Sequence, residues 1–565
     1  MLYSPSRKHV RLSRETICVL ALILIATLLR FILIYFHWPV TNSDEGNMGI
    51  LARHVAYNGD WPIFFYGLPY LGPLEGYIAA PLFHLLGPST FTLRLGLLPF
   101  FPLFLICMYY LTRLLYTQKF ALFTVILLCF GSADIISRQL KAVGEYPETL
   151  FFAAFISFVV SWLVLTSHTV KEQSRTTPRR IFIYGVLGLV IGVALWVDFL
   201  ILPFLGTGIV LLLMFCRREL VSWSGVSLLL GIAIGAFPLI YYNMTAPLAS
   251  NSLAILYYID RAGSQQHLPF LQQIVGTLMI SLPNATGFNP LCLPQAFPYF
   301  GTPNASCIIL QGGWGLGYLI LWAIATFLLV RVLWGSRKGA SLLNPDKSFD
   351  ERQAMIRWCC QLMLLVSAAG TIILYAISPL AATAPAPTAR YLVCLLVVLP
   401  ATLWPLWKGV RIWQTPVAWR ATTSLFARVC LLLLILLMFV IGTFNTFTQI
   451  PAAQAAYQQQ DLLVQDLLNL GATRIYSEYW TCNRLTFQSG EKIICSSLSD
   501  NLGPGFDRYA PYGSIVRAAP HPAYVFPQGS QQTAILDARM NRDSRFRNAF
   551  QRLTFEGYVM YIPRG

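Results

Sequence analysis

Residues 16–36 read TICVLALILIATLLRFILIYF, an apolar run interrupted by a single charge, Arg30. Crossing the hydrocarbon core of a bilayer takes about 20 residues of helix, and this run has that length. A backbone in lipid must satisfy its own hydrogen bonds, so a run this long points to a helix, not to the roughly 10-residue strands of a barrel. It is too long for the core of a signal peptide, and no small-x-small cleavage site precedes Trp38 and Pro39. The segment is therefore a first membrane helix.

The rest of the chain is of the same material. Apolar residues make up 56% of 565 and charged ones only 11%, against about 25% charged in an average soluble domain. Further apolar runs cover 92–112, 119–137, 149–167, 181–198, 199–216, 225–242, 312–334, 357–377, 391–407 and 429–447, about eleven crossings in all. Lys and Arg crowd the segments that are inside if the N-terminus is inside, from Arg7, Lys8, Arg11 and Arg14 through Arg179, Arg180, Arg217 and Arg218 to Arg337, Lys338 and Lys347. The opposite loops before residue 448 hold only Arg53, Arg94, Arg138, Lys141, Arg261 and Arg390. Because cations near helix ends resist translocation, this asymmetry predicts the N-terminus in and the C-terminus out. The net charge of +16 then follows from topology and calls for no nucleic-acid partner.

The expected architecture is an α-helical polytopic membrane domain over 1–447 with outer loops 37–91, 138–148 and 243–311, and a small extracytoplasmic α/β domain over 448–565. In the first loop, Gly76 to Leu86 reads as a helix lying at the membrane surface. In the third, His267–Ser281 is a short helical candidate that can cover the site. The tail opens with an amphipathic helix, Ala452–Leu470, closed by Gly471. Strand-like runs follow at Thr473–Tyr476, Arg484–Phe487, Ile493–Cys495, Ala523–Phe526 and Tyr558–Ile562. Cys292 with Cys307, and Cys482 with Cys495, lie in outer segments, where an oxidising compartment makes each pair a disulfide candidate, free thiols being the alternative.

The chemistry-bearing residues gather at the outer edge. Asn42-Ser43-Asp44-Glu45-Gly46 comes directly after the first helix, followed by Asn58-Gly59-Asp60-Trp61-Pro62. A carboxylate there can take a proton from an attacking hydroxyl, and partial burial raises its basicity; the plainer alternative is a solvated turn. The second outer segment reads RQLKAVGEYPE and packs Arg138, Lys141, Glu145 and Glu148 together. Ionisable groups at a membrane boundary face a polar cavity or one another. These four can hold a phosphate and a divalent metal ion, or form a salt-bridge cluster among themselves. Arg390-Tyr391 opens the span 391–407, where Arg390 also reads as a snorkelling interfacial residue. Glu75, Tyr146 and Tyr391 border these groups and are the candidates for substrate contact.

With Asp44-Glu45 after the first helix, Gly59-Asp60-Trp61-Pro62 beyond it, the turn Gly67-Leu68-Pro69-Tyr70-Leu71-Gly72-Pro73-Leu74-Glu75, the charged second loop and the late Ala389-Arg390-Tyr391-Leu392, the chain resembles the C-type glycosyltransferase superfamily. Within it, the nearest likeness is to the bacterial family related to protein O-mannosyltransferases and to the lipid A aminoarabinose transferase. The resemblance implies a polyprenyl-phosphate sugar donor, direct transfer with inversion, and a protein, lipid or glycan acceptor presented at the outer face of a bacterial plasma membrane. It casts Asp44 as general base and Glu45 as the accompanying acid that orients the site; Arg390 is the first choice for the donor-phosphate ligand, with Arg138 and Lys141 as alternatives. A phosphate leaves without being protonated, so positive charge is needed at that end, not a second acid. Any metal would sit on Glu145 or Glu148. The chain departs from the aminoarabinose enzymes at Gly72-Pro73-Leu74-Glu75, where they carry a Lys-Pro-Pro-like segment, and in Glu145-Tyr146-Pro147-Glu148, where relatives often place an aspartate.

Two other readings compete. A transporter or lipid flippase also has many helices, but it concentrates ionisable residues near the bilayer midplane, where only Arg30 and Asp198 fall here. A sensor that merely anchors its tail would leave the loop carboxylates without a task.

Overall fold

The computed structural model describes residues 14–144, 146–167, 177–263, 269–289, 305–339, 349–410 and 419–564. Glu145 and Cys292 lie outside these residues. Every expected span falls on a helix. Seven helical segments are long and apolar enough to cross a membrane unbroken: Arg14–Tyr35 (α1), Thr90–Leu115, Tyr146–Leu165, Pro178–Val197, Ala305–Gly335, Asp350–Ala376 and Thr423–Asn469. Three more spans are bent pairs, Gln118–Cys129 with Ala133–Leu140 (84°), Trp223–Gly235 with Phe237–Thr245 (62°) and Pro385–Leu392 with Leu395–Lys408 (77°). The span expected at 199–216 is the shorter apolar helix Phe199–Phe215. The chain is a multi-pass membrane protein.

The bends have local causes and place the cations. At the first, Gly131 N–H donates to the Thr443 hydroxyl at 3.0 Å, and the Ser132 hydroxyl accepts from Ile135 N–H at 3.3 Å, which satisfies backbone groups freed by the break. The following helix, Ala133–Leu140, turns aside and carries Arg138 and Lys141 with it. At the third, Arg390 sits in the 3-10 turn Ala389–Leu392 between the two halves. Interrupted helices of this kind survive at membrane depth where they line protein or a polar space.

The first loop folds into two short helices, α2 (Ser43–Arg53) and α3 (Leu74–Leu86), and α4 (Thr90–Leu97) opens the span Thr90–Leu115. Asn42 caps α2 by accepting from Glu45 N–H at 3.0 Å. Although α2 is polar in composition, every residue from Ser43 to Ala52 is buried, because α3, α4 and the tail close over it. In the third loop the helical candidate is realised as Phe270–Gly276 running into a π-helical turn, Thr277–Ser281.

The tail is an α/β domain around a five-stranded sheet in the order β2-β1-β3-β5-β4. Its strands are β1 (Arg474–Ser477), β2 (Ile494–Ser497), β3 (Ala523–Pro527), β4 (Phe550–Phe555) and β5 (Tyr558–Pro563). β1 pairs in parallel with β2 and β3, whereas β5 runs antiparallel to β3 and β4. The opening helix, Ile450–Asn469, matches the expected amphipathic one. One expected strand is corrected: Arg484–Phe487 belongs to the helix Tyr479–Gln488. Its buried residues Thr481, Cys482, Asn483, Leu485, Thr486 and Phe487 face α2 on one side and β2 on the other, so a four-residue window holds no period that tells helix from strand. Strand β4, absent from the sequence reading, joins β5 through Glu556-Gly557, both at positive φ, as a two-residue hairpin requires.

Candidate active site

Asp44 stands in the first turn of α2 and is buried. Its partners come from the far end of the chain. Arg508 Nη2 donates to Asp44 Oδ1 at 2.7 Å, the Tyr479 hydroxyl donates to the same oxygen, and Arg508 Nε donates to the Tyr479 oxygen at 2.7 Å, closing a triangle. Burial pushes the Tyr479 hydroxyl up, so it meets Asp44 in its protonated, donating form. Burial disfavours the charge of Arg508, but Tyr479 and Asp44 outweigh it and hold the guanidinium above its ordinary range. The rings of Phe65, Phe506 and Tyr479 flank Arg508 at 5.3, 5.4 and 5.7 Å, a stacked setting that suits arginine over lysine.

Glu45, the neighbouring acid, has a different task. It is fully buried and gripped in a fork by Arg94, with Nε to Oε1 at 2.7 Å and Nη2 to Oε2 at 2.6 Å. Ala142 N–H adds a third bond to Oε1 at 3.3 Å. Glu45 thus ties α2 to α4 and to the chain beyond Leu140, and its oxygens are occupied by structure.

The cations singled out in the sequence share this neighbourhood. Lys141 feels the charges of Glu45 and Asp44, which favour its charged form, and those of Arg94 and Arg138, which oppose it; desolvation is the largest effect and brings its amine down to about 8. Arg138 pairs with Asp134 at 3.2 Å one helical turn away and reaches the Pro387 carbonyl at 3.5 Å. Arg390 lies over the rings of Tyr146 (5.6 Å) and Tyr391 (5.4 Å) and within reach of the charge of Asp44. The Nε of Arg390 and the Nε of Arg138 are buried donors with no hydrogen-bond partner among the described residues. Burial raises the Tyr70 hydroxyl to about 12, and the charges of both Arg508 and Arg390 act on it in the opposite direction. Buried donors left open beside a carboxylate form a site made for an anion.

Glu75 is fully buried in the first turn of α3, and its neighbour Gly76 is backed by Met48 and Leu51 of α2, one to two turns from Asp44. Glu148 is fully buried in the first turn of Tyr146–Leu165, and neither of its oxygens has a hydrogen-bond partner among the described residues. Among the described residues no three His, Cys, Asp or Glu side chains converge as metal ligands; Glu145 lies outside those residues.

Tyr479, Arg508 and Arg94 were not singled out in the sequence. Tyr479 is embedded in Glu478-Tyr479-Trp480 and Arg508 in Phe506-Asp507-Arg508-Tyr509, two charged aromatic clusters in the tail that could have drawn attention but carry no sign of their target.

The whole arrangement, membrane helices and tail together, has counterparts among solved structures. ArnT from Cupriavidus metallidurans bound to undecaprenyl phosphate aligns over 97% of this chain and 98% of its own, with a TM-score of 0.54 at 13% identity. The chain shares the fold of ArnT. The apo form of the same protein aligns with a TM-score of 0.51 over the same shares. The oligosaccharyltransferase of Archaeoglobus fulgidus in its apo form aligns over 90% of this chain and 69% of its own, at 13% identity and a TM-score of 0.50. Both are C-type glycosyltransferases, so the resemblance read from the loop motifs holds at the level of the fold and extends through the tail. No protein-family model and no curated protein matches the sequence.

Proposed function

We propose that the chain is a membrane glycosyltransferase that moves a sugar from a polyprenyl-phosphate donor to an acceptor hydroxyl at the outer face, with inversion at the anomeric carbon. The observation that carries this reading is one buried carboxylate, Asp44, within electrostatic reach of Arg390, whose Nε is an open buried donor. The fold shared with ArnT, solved with undecaprenyl phosphate bound, supports a lipid-phosphate donor.

In this mechanism the acceptor oxygen attacks the anomeric carbon while its proton passes to Asp44. The bond from that carbon to the phosphate oxygen breaks, and its electron pair stays on the phosphate. Arg390, aided by Arg138 and Lys141, balances the charge that grows there, an electrostatic contribution that needs no acid. Tyr146 and Tyr391 offer aromatic faces beside Arg390 to the sugar ring, and Glu75 holds the substrate side of α3. Glu45 keeps α2 in register through Arg94.

The test of the base is Asp44→Asn, which keeps size and shape. Transfer is expected to fall about 100- to 10,000-fold, the range that general-base catalysis supplies, and thermal unfolding in lipid reads separately the stability lost when Arg508 loses its buried partner. A folded Asp44→Asn protein that turns over donor at the native rate would overturn the assignment.

A further inference from the structure

We infer that Tyr479 and Arg508 of the C-terminal domain are positioning residues for Asp44, so that the tail forms one wall of the active site. This rests on the reading of Asp44 as general base. Both hydrogen bonds end on Oδ1, so Oδ2 is the oxygen assigned to take the acceptor proton. A base that must take a proton in one geometry gains most from being held there before substrate arrives.

Each positioning side chain is itself anchored. The helix carrying Tyr479 lies on α2 so closely that a Cβ at Gly46 would sit 2.6 Å from the Asn483 carbonyl oxygen, and one at Gly49 would sit 2.6 Å from the Phe487 ring. Asn483 N–H donates to the Ser43 hydroxyl at 3.3 Å, next door to Asp44. Arg508 follows Asp507, whose carboxylate accepts from the Ser496 hydroxyl at 2.7 Å and from Ser497 N–H at 2.6 Å on β2. A second clasp joins the far end of α2 to the tail: Arg53 Nε and His54 Nε2 meet Glu491 at 2.8 and 2.9 Å, and the Tyr512 hydroxyl donates to Glu491 at 2.7 Å. The aromatic enclosure and the small exposure of both partners, 10% for Arg508 and 7% for Asp44, keep water from competing for the pair.

The groups that face Asp44 set the expected pH behaviour. They are Arg508 and Tyr479 in contact, Lys141 and Arg390 at longer range, and Glu45 beside it, already paired with Arg94. A cation in contact with a carboxylate favours its ionised form, and that support is lost when Arg508 is removed. The acid limb of kcat/KM for donor therefore moves upward.

The experiment measures that limb for the full chain in lipid, with a polyprenyl-phosphate sugar that the native protein turns over, in the native form, Arg508→Gln, Arg508→Lys, Tyr479→Phe and Asp44→Asn. Arg508→Gln is expected to raise the acid limb by roughly one unit or more and to lower kcat. Arg508→Lys restores the limb but not kcat, because an ammonium keeps the charge and loses the fork to Asp44 and Tyr479. Tyr479→Phe raises the limb by a smaller step. A native limb and native kcat in both Arg508→Gln and Tyr479→Phe, with Asp44→Asn inactive, would overturn the positioning role while leaving the base intact. An active Asp44→Asn would instead overturn the base. If Arg508→Gln does not fold, Tyr479→Phe, which loses one hydroxyl, decides alone.

Discussion

Arg508 and Asp44 are 464 positions apart in the chain and form a 2.7 Å ion pair. The pair joins the first loop to the C-terminal domain at the group proposed to take the acceptor proton, so the geometry of the tail and the chemistry of the first loop are linked. Disturbing the seam between them is expected to act on rate as well as on stability.

At Gly49 the seam is so close that an added methyl meets the ring of Phe487. Gly49→Ala is expected to cost about 1–3 kcal/mol by overpacking and to lower transfer by displacing Tyr479. Adding Phe487→Leu opens room for the methyl and is expected to recover much of both. Thermal unfolding and donor turnover on the two variants check this; a double variant no better than the single one would place the effect elsewhere.

Glu45 and Arg94 give a stability prediction of larger size. Both side chains are 1% exposed, and removing one partner of a buried pair strands the other charge at a cost of about 3–5 kcal/mol. Arg94→Leu is expected to lower the unfolding temperature sharply, whereas Arg94→Leu with Glu45→Leu, which buries no lone charge, is expected to fall between the single variant and the native chain. Scanning calorimetry or thermal aggregation in lipid reads the order of the three.

How far this site could be read from the sequence depended on where along the chain the cause lies. The membrane helices are set by local hydrophobicity, and the spans at 16–36 and 149–167 coincide with Arg14–Tyr35 and Tyr146–Leu165. Asp44, Arg138, Lys141 and Arg390 were legible because charge at a membrane edge is costly wherever it occurs. Arg508 and Tyr479 were not, since their meaning comes from docking across the whole chain, and a polar aromatic patch in a water-facing domain carries no such cost. The strand expected at Arg484–Phe487 failed for a related reason: the residues that cover that helix face lie on α2, far away in sequence.

The tail domain is stapled by the Cys482–Cys495 disulfide, which spans 13 positions and ties the Tyr479–Gln488 helix to β2. Closing a loop of this length contributes about 3 kcal/mol. Cys482→Ser with Cys495→Ser is expected to lower the stability of the tail by that order and to reduce transfer with it, because Tyr479 rides on the stapled helix. Cys307 is also disulfide-bonded, while its expected partner Cys292 lies outside the described residues. The double serine variant at 482 and 495 therefore separates the tail from the effect of a general reductant.

Lys141 supplies a pH prediction on the basic side. Its amine is brought down to about 8 by burial, so as pH rises through that value the free enzyme loses a cation from the proposed donor-phosphate site. The kcat/KM for donor is expected to fall above pH about 8, and Lys141→Arg, which stays charged to far higher pH, is expected to remove that limb. An unchanged basic limb in a folded Lys141→Arg protein would take Lys141 out of phosphate binding.

The most direct measurement follows both products from a panel of radiolabelled polyprenyl-phosphate sugars given to the purified chain in sealed vesicles. Release of free polyprenyl phosphate with the sugar passed to an acceptor or to water, lost in Asp44→Asn, is the expected result. Movement of the intact lipid across the bilayer with no cleavage of any donor would contradict the glycosyltransferase account and make the chain a carrier.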